Sequence, residues 1–226
     1  MSESGYLESE GSPRIWRGPS AARHLVRVSD GSKHSPQEVL HFSNQIREIL
    51  GSKESASHFR VASEAVEFNM FASSGDELDR LTKLLENRGF NVLSTKLLDT
   101  PQEEMPEDEA VNVGVLLFNE ERFWECHEIL EQTWRVSRGS VRDALQSMIL
   151  TAAAFVHYQK NEPEICLSVL KRAKAKMVSN PSLEELGLGE LRSKLDAILE
   201  SGRVRPFKLR TGRARAARSS KRVATA

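Results

Sequence analysis

The chain of 226 residues has only two cysteines, Cys126 and Cys166, and both fall within helical patterns. A disulfide framework is therefore not indicated, and the two thiols predict small buried side chains in a reducing, cytoplasmic environment. No apolar run is long enough to cross a bilayer, and the start MSESGYLESEG lacks the basic and apolar regions of a secretory signal. The sequence thus predicts a cytoplasmic protein with no membrane association.

Charge of one sign is missing from two segments, although the 32 basic and 32 acidic residues balance overall. Residues 99–109, DTPQEEMPEDE, contain acids and prolines but no base, which is typical of a linker. Residues 203–222 contain many basic side chains and no acid, so an acidic body carries a basic tail.

The composition changes along the chain and predicts two small folded parts within an α+β protein. Residues 1–34 are rich in Ser, Gly, Glu and Arg without periodicity, which predicts a disordered N-terminal segment. The remaining segments are predicted as a small α+β module at 35–98, an acidic linker at 99–109, an all-α bundle at 110–201 and a basic disordered tail at 202–226.

The module at 35–98 reads as α-β-β-α-β. Its first helix begins at a capping box, Ser35-Pro36-Gln37-Glu38, and ends at Gly51. The pattern then predicts strands at 58–62 and 65–71, a helix at 74–88 and a strand at 90–98. Alternation in the second strand predicts that one face, with Val66, Phe68 and Met70, is buried. No metal spacing, phosphate loop or nucleophile motif occurs in this segment, so a docking or dimerisation role is the simplest interpretation.

The bundle is predicted to be antiparallel, because short loops join its five helical segments. Those segments are 110–119, 120–136, 140–160, 163–178 and 183–200, the last bent by Gly187 and Gly189. The run MILTAAAFV at 148–156 is apolar on every side, which predicts that helix 140–160 is central.

Polar residues interrupt the inner face of helix 120–136. On a helical wheel, His127 and Glu131 fall within a cluster of Phe123, Trp124, Leu130 and Trp134, and Glu128 lies at its edge. Residues four apart are neighbours on a helix, and an unpaired buried carboxylate costs several kcal/mol, so Glu131 needs a partner.

Helix 140–160 carries a matching stripe of Gln146, Leu150, Ala153 and His157. If the two helices turn near residue 138, Glu131 faces Gln146. His157 then lies roughly 10 Å along the axis from His127, at about 1.5 Å per residue. That offset argues against one metal ion held by both histidines.

Three interpretations of these residues compete. The first is a hydrogen-bonded network of His127, Glu131 and Gln146 in a binding or scaffold bundle. The second is a divalent metal site at His127 and Glu131, completed by Glu128 or His157, in a metal-dependent hydrolase. The third is a pocket, lined by Trp124, Trp134 and Phe123, for a small molecule or a partner protein.

The basic tail makes nucleic acid one candidate partner, because cations on a chain can neutralise phosphates. A solubilising tail, or one that folds back on the acidic body, has the same composition. The candidate phosphate contacts are Arg203, Arg205, Lys208, Arg210, Arg213 and Arg215.

The run FNEERFWECHEILEQTWR at 118–135 resembles the signature F-N-x-G-x-[FY]-[FW]-E-x-H-E-x-L-E-x-x-W. That signature belongs to an uncharacterised prokaryotic helical family, domain-of-unknown-function family 309. The similarity extends over about residues 110–180, and Gln146, the alanines at 152–154, His157, Asn161, Leu170 and Ala173 resemble its following helices. It implies an all-α bundle and no particular activity. Glu121 and Lys160 depart from it, since both stand where the family has glycine.

Overall fold

The computed structural model describes residues 21–98, 105–177, 180, 182–186 and 188–210. The chain divides into two compact units. The first is built mainly from residues before 101, and the second from residues after 100 together with residues 32–40 and 60–66. None of the described helices is long and apolar enough to span a membrane.

The N-terminal half has the order β-α-β-β-α-β around a four-stranded antiparallel sheet, the arrangement called ferredoxin-like. Its elements are β1 (Ala22–Ser29), α1 (Val39–Leu50), β2 (Ala56–Val61), β3 (Val66–Ala72), α2 (Gly75–Glu86) and β4 (Asn91–Leu97), with a 3₁₀ turn at Pro36–Glu38 before α1. The strands lie in the order β2-β3-β1-β4. Helices follow the sheet, so the predicted α+β class is confirmed.

Strand β1 corrects the prediction that all of residues 1–34 are disordered. It pairs antiparallel with β4, from His24 opposite Leu97 to Ser29 opposite Asn91, and buries Leu25, Val26 and Val28. The neighbours of β1 in the sheet are β3 and β4, which lie far along the chain, so the sequence around residues 22–29 gives no local sign of the pairing. The prediction of disorder for residues 1–34 was based mainly on the composition of residues 1–20, which lie outside the described part.

Both faces of β3 are buried, which the alternation did not predict. Val66, Phe68 and Met70 lie in the core as expected, but Glu67 and Asn69 on the opposite face are buried as well. Glu67 meets Arg27 of β1, whose Nε lies 3.6 Å from Glu67 Oε1. Arg27 on the neighbouring strand therefore places a positive charge beside the buried carboxylate of Glu67.

The helical half begins inside the segment predicted as a linker. Its helices are α3 (Glu107–Asn119), α4 (Phe123–Val136), α5 (Gly139–Gln159), α6 (Pro163–Ala175), the one-turn α7 (Ser182–Glu185) and α8 (Leu191–Ser201). The acids at 107–109 are the first turn of α3, where the helix dipole favours negative charge, so the linker is wrong for these three residues. Residues 99–104 lie outside the described part.

Helix α5 is the centre of the bundle, as its apolar composition predicts. It packs against α4 on one side and α6 on the other, and Leu145, Met148 and Phe155 are among its buried side chains. The hydroxyls of Ser147 and Thr151, also buried, donate to the carbonyls of Ala144 and Ser147 within the helix. These two buried hydroxyls are thus satisfied within the helix itself.

Candidate functional site

The candidate ligands lie on α4, which packs between α3 and α5. Phe123, Cys126 and Leu130 are buried on the apolar face of this helix. His127 lies beside that face and is 8% exposed, and Glu131 follows one helical turn later. The helix therefore presents an imidazole at the boundary between the core and the solvent.

Three side chains converge at this boundary. His127 Nδ1 lies 3.5 Å from Glu128 Oε1 and 4.0 Å from Glu131 Oε2. The three candidate ligand atoms are all within 4.8 Å of one another. The two carboxylates are about one-third exposed, at 33% and 31% of their side-chain area. The structure thus brings together one nearly buried imidazole and two carboxylates that reach the solvent.

Arg135 holds the other oxygen of Glu131. Its Nη2 donates to Glu131 Oε1 over 3.0 Å, from a position four residues further along α4. This pair is exposed on the arginine side and contributes little stability. It orients the carboxylate, however, so that Oε2 faces the imidazole.

The two tryptophans on this side of α4 are half-buried. The guanidinium of Arg142 lies 3.8 Å from the ring centroid of Trp134, and its Nη1 donates to the Trp134 carbonyl over 2.8 Å. Trp134 Nε1 is enclosed and donates to no residue that the structure describes. Phe123, by contrast, packs between Phe118 and Phe155 in the core, so it cannot line an open pocket beside Trp124 and Trp134.

The α5 residues of the predicted network behave differently from expectation. Gln146 is half-buried and forms no hydrogen bond within the described part of the chain, so the expected bond to Glu131 is not present. His157 Nδ1 lies 2.6 Å from Glu162 Oε2, outside the three-residue cluster. The helical wheel predicted which residues share a face of α4. It predicted Gln146 as the partner of Glu131, but the observed partner is Arg135.

An ion pair between Arg122 and Glu125, at the start of α4, was not predicted. Arg122 Nε and Nη2 donate to the two oxygens of Glu125 over 2.8 and 3.0 Å, and Glu125 is buried. The hydrogen bonds that Arg122 donates to Glu125 are the largest reason that the pKa of Arg122 lies above its ordinary value. The three-residue spacing was the available signal, because such residues meet on one helix face.

Both cysteines are completely buried, as expected. Burial raises the pKa of the Cys166 thiol to about 12 and also raises that of Cys126. Neither thiol is therefore suited to act as a nucleophile.

The basic segment after α8 is only partly described. Arg203, Arg205, Lys208 and Arg210 are exposed, while Arg213 and Arg215 lie outside the described residues. The residues between the four exposed cations pack on the bundle, because Leu209 is buried and Phe207 contacts Phe118. The prediction of a disordered tail is therefore wrong for residues 203–210.

Residues 111–169 match the model of a family described as a domain of unknown function (DUF309), which confirms the resemblance. The match begins within α3, contains α4 and α5, and ends within α6, so it contains the whole cluster. Comparison with curated proteins finds no match to the chain.

One departure from the family signature has a structural meaning. Glu121, at the position of the signature's glycine, has a φ of 58° in the left-handed region that glycine adopts most easily. Lys160, the second departure, has an ordinary φ of −87°, and the left-handed residue of that turn is Asn161. The chain therefore keeps the turn before α4 without its glycine.

Proposed function

We propose that the helical unit is a binding module whose helix α4 takes up a divalent cation at His127, Glu128 and Glu131. The observation that supports this is the convergence of one imidazole nitrogen and two carboxylate oxygens within 4.8 Å. Imidazole and carboxylate suit zinc and other first-row divalent ions. The module would act in the cytoplasm on a protein or small-molecule partner.

The distances are close to those that a bound ion requires. Ligands about 2.1 Å from zinc in a tetrahedral arrangement lie roughly 3.4 Å apart. The 3.5 Å between His127 Nδ1 and Glu128 Oε1 already has this value, and the 4.0 Å to Glu131 Oε2 is slightly longer. A small rotation of the partly exposed Glu131 side chain would close the difference without moving the helix.

The charge of the cluster also favours a cation. Two carboxylates beside one imidazole match the charge of a divalent ion, and the ion would relieve the repulsion between Glu128 and Glu131. Arg135 neutralises Glu131 only from the outer oxygen. Oε2 would therefore bind the ion while Oε1 keeps its hydrogen bond to Arg135, which orients the ligand.

The openness of the cluster favours metal-dependent hydrolysis as a second candidate. Three protein ligands leave a coordination position for water, as in catalytic zinc sites. Glu128 and Glu131 are partly exposed, so water and a substrate could reach the ion. A bound ion would then lower the pKa of its water and supply a nucleophile.

The first experiment measures the metal content of untagged full-length protein, with His127→Ala and His157→Ala beside the wild type. His157 is the matched control, because it is a half-buried imidazole that meets a single carboxylate outside the cluster. Near-stoichiometric metal in the wild type and in His157→Ala, lost in His127→Ala, would support the proposal. Turnover of model phosphate or acyl esters by the metal-loaded wild type would support the second candidate.

Absence of metal from the wild type, even after supplementation with zinc, manganese or iron, would refute the cation site. The three side chains would then be a polar network that specifies packing. In that case His127→Ala is expected to lower the free energy of unfolding by about 1–3 kcal/mol, because its polar neighbours lose a partner.

A further inference from the structure

Residues 203–210 leave α8 as irregular chain, yet they are attached to the helical unit by apolar contacts. Leu209 is only 4% exposed. The ring of Phe207 lies 5.2 Å from that of Phe118 and 5.5 Å from that of Phe155, centroid to centroid. Both partner rings are completely buried. Phe207 therefore completes the aromatic core of the bundle and fixes the segment that carries it.

Asn119, the last residue of α3, holds the same segment by hydrogen bonds. Its Nδ2 donates to the carbonyl of Leu209 over 2.8 Å, and its Oδ1 accepts from the amide of Leu209 over 2.7 Å. Glu190 accepts a further bond from the amide of Arg210. The side chains of Asn119 and Glu190 thus hold the backbone of Leu209 and Arg210 in place.

The cationic side chains of residues 203–210 lie at the surface of the protein. Arg203, Arg205, Lys208 and Arg210 are exposed, and none forms an ion pair with a residue in the described ranges. Arg203 and Arg205 are two residues apart, as are Lys208 and Arg210, so the Cα atoms of each pair lie at most about 7 Å apart. That distance is comparable to the rise of two nucleotides along the axis of a stacked helical strand, at about 3.4 Å for each nucleotide.

We propose that residues 203–210 are a pre-ordered strip that binds the phosphates of a single nucleic-acid strand. Three of its four cations are arginines, whose planar guanidinium binds a phosphate through two parallel hydrogen bonds. Anchoring the backbone before binding reduces the conformational entropy that docking must otherwise remove. An anionic membrane fits less well, because the apolar side chains needed for insertion, Phe207 and Leu209, are turned into the bundle.

The decisive experiment is fluorescence anisotropy of full-length protein with a labelled 15-nucleotide oligouridine at several salt concentrations. Each contact with a single strand adds about 0.7 to the slope of log affinity against log salt, so Arg203→Ser/Arg205→Ser is expected to lower the slope by about 1.4. The matched control, Lys171→Ser/Arg192→Ser, removes two exposed cations from α6 and α8 and is expected to leave the slope unchanged.

A second variant tests whether the order of the strip matters. Asn119→Ala removes both bonds to Leu209 and keeps every charge, so it is expected to weaken binding several-fold with the slope preserved. Unchanged affinity in this variant, with its fold verified by circular dichroism, would overturn the pre-ordered strip.

Two other results would overturn the proposal as a whole. One is the absence of binding at low salt, or an equal slope in the Arg203→Ser/Arg205→Ser variant and the wild type. The other is tighter binding of polyglutamate than of oligouridine, which would assign the strip to an acidic protein.

Discussion

The ion pair between Arg122 and Glu125 is expected to stabilise the helical unit measurably, unlike the other ion pairs on its surface. Glu125 is 6% exposed and accepts from two nitrogens of Arg122, a bidentate geometry. It also lies in the first turn of α4, where the helix dipole favours a negative charge. Removal of Arg122 would take two charge-assisted hydrogen bonds from this buried carboxylate.

The size of the effect follows from how far each partner is buried. Breaking a fully buried pair costs about 3–5 kcal/mol, whereas an exposed pair is worth about 0–1 kcal/mol. The side chain of Arg122 is 27% exposed, so water can reach part of it once Glu125 is gone. We therefore expect Arg122→Met to lower the free energy of unfolding by about 2–3 kcal/mol and Glu125→Gln by about 1–2 kcal/mol.

The assay is urea unfolding followed by circular dichroism, arranged as a double-mutant cycle. The coupling energy between Arg122→Met and Glu125→Gln is expected to be about 1–2 kcal/mol. The control is a second double-mutant cycle, made with Lys176→Met and Asp143→Asn, on an exposed ion pair whose charged atoms lie 3.6 Å apart. A coupling energy for the first pair no larger than that of the control would refute the reasoning from burial.

Three further predictions concern packing, charge and thiol chemistry. Gly114→Ala is expected to lower the free energy of unfolding by up to about 2 kcal/mol, because an overpacking cost of about 1–3 kcal/mol outweighs a helix-propensity gain near 1 kcal/mol. The overpacking arises because the new Cβ would lie 2.9 Å from the buried side chain of Leu130. Urea unfolding measures the change, and Gly75→Ala, which has open space around it, is the control. Burial lowers the pKa of Lys160 below its ordinary 10.5. The folded chain therefore binds fewer protons than the unfolded chain between the lowered pKa and 10.5, and stability rises with pH in that window. Lys160→Met should be more stable than the wild type at pH 7, with a difference that shrinks toward pH 10.5, and a difference independent of pH would contradict this. The two buried cysteines should react with iodoacetamide only after unfolding, as read by mass spectrometry, and fast labelling of native protein would be inconsistent with their raised pKa.

The elements that could be predicted from the sequence are those whose signals are local. Ser35 is the N-cap of the 3₁₀ turn that leads into α1, where the capping box indicated a helix start, and its amide donates to Glu38 over 2.7 Å. The period of α4 placed His127 and Glu131 on one face, and the uniformly apolar run of α5 identified the central helix. The periodicity of a helix is visible in residues three and four apart in the sequence. A helix and its apolar face can therefore be predicted without knowing which element packs against it.

The candidate site was predictable to the same extent. The wheel brought Glu131 to His127 because both belong to one helix. It could not show that Arg135 holds Glu131, or that Gln146 forms no bond to it. Rotamers and the offset between two helices decide those partners, and neither is encoded in the spacing of residues along the chain.

Contacts between distant segments account for what the sequence missed. Strand β1 exists because β4 pairs with it, and residues 203–210 are ordered because Asn119 and the aromatic core hold Phe207 and Leu209. A short segment with a weak local pattern gains its structure from burial and hydrogen bonds that other parts of the chain supply. The sequence by itself determined the helices, the apolar faces and the uneven charge. The tertiary structure decided which polar groups meet and which flanking segments are ordered, because those outcomes depend on distances between residues far apart in the chain.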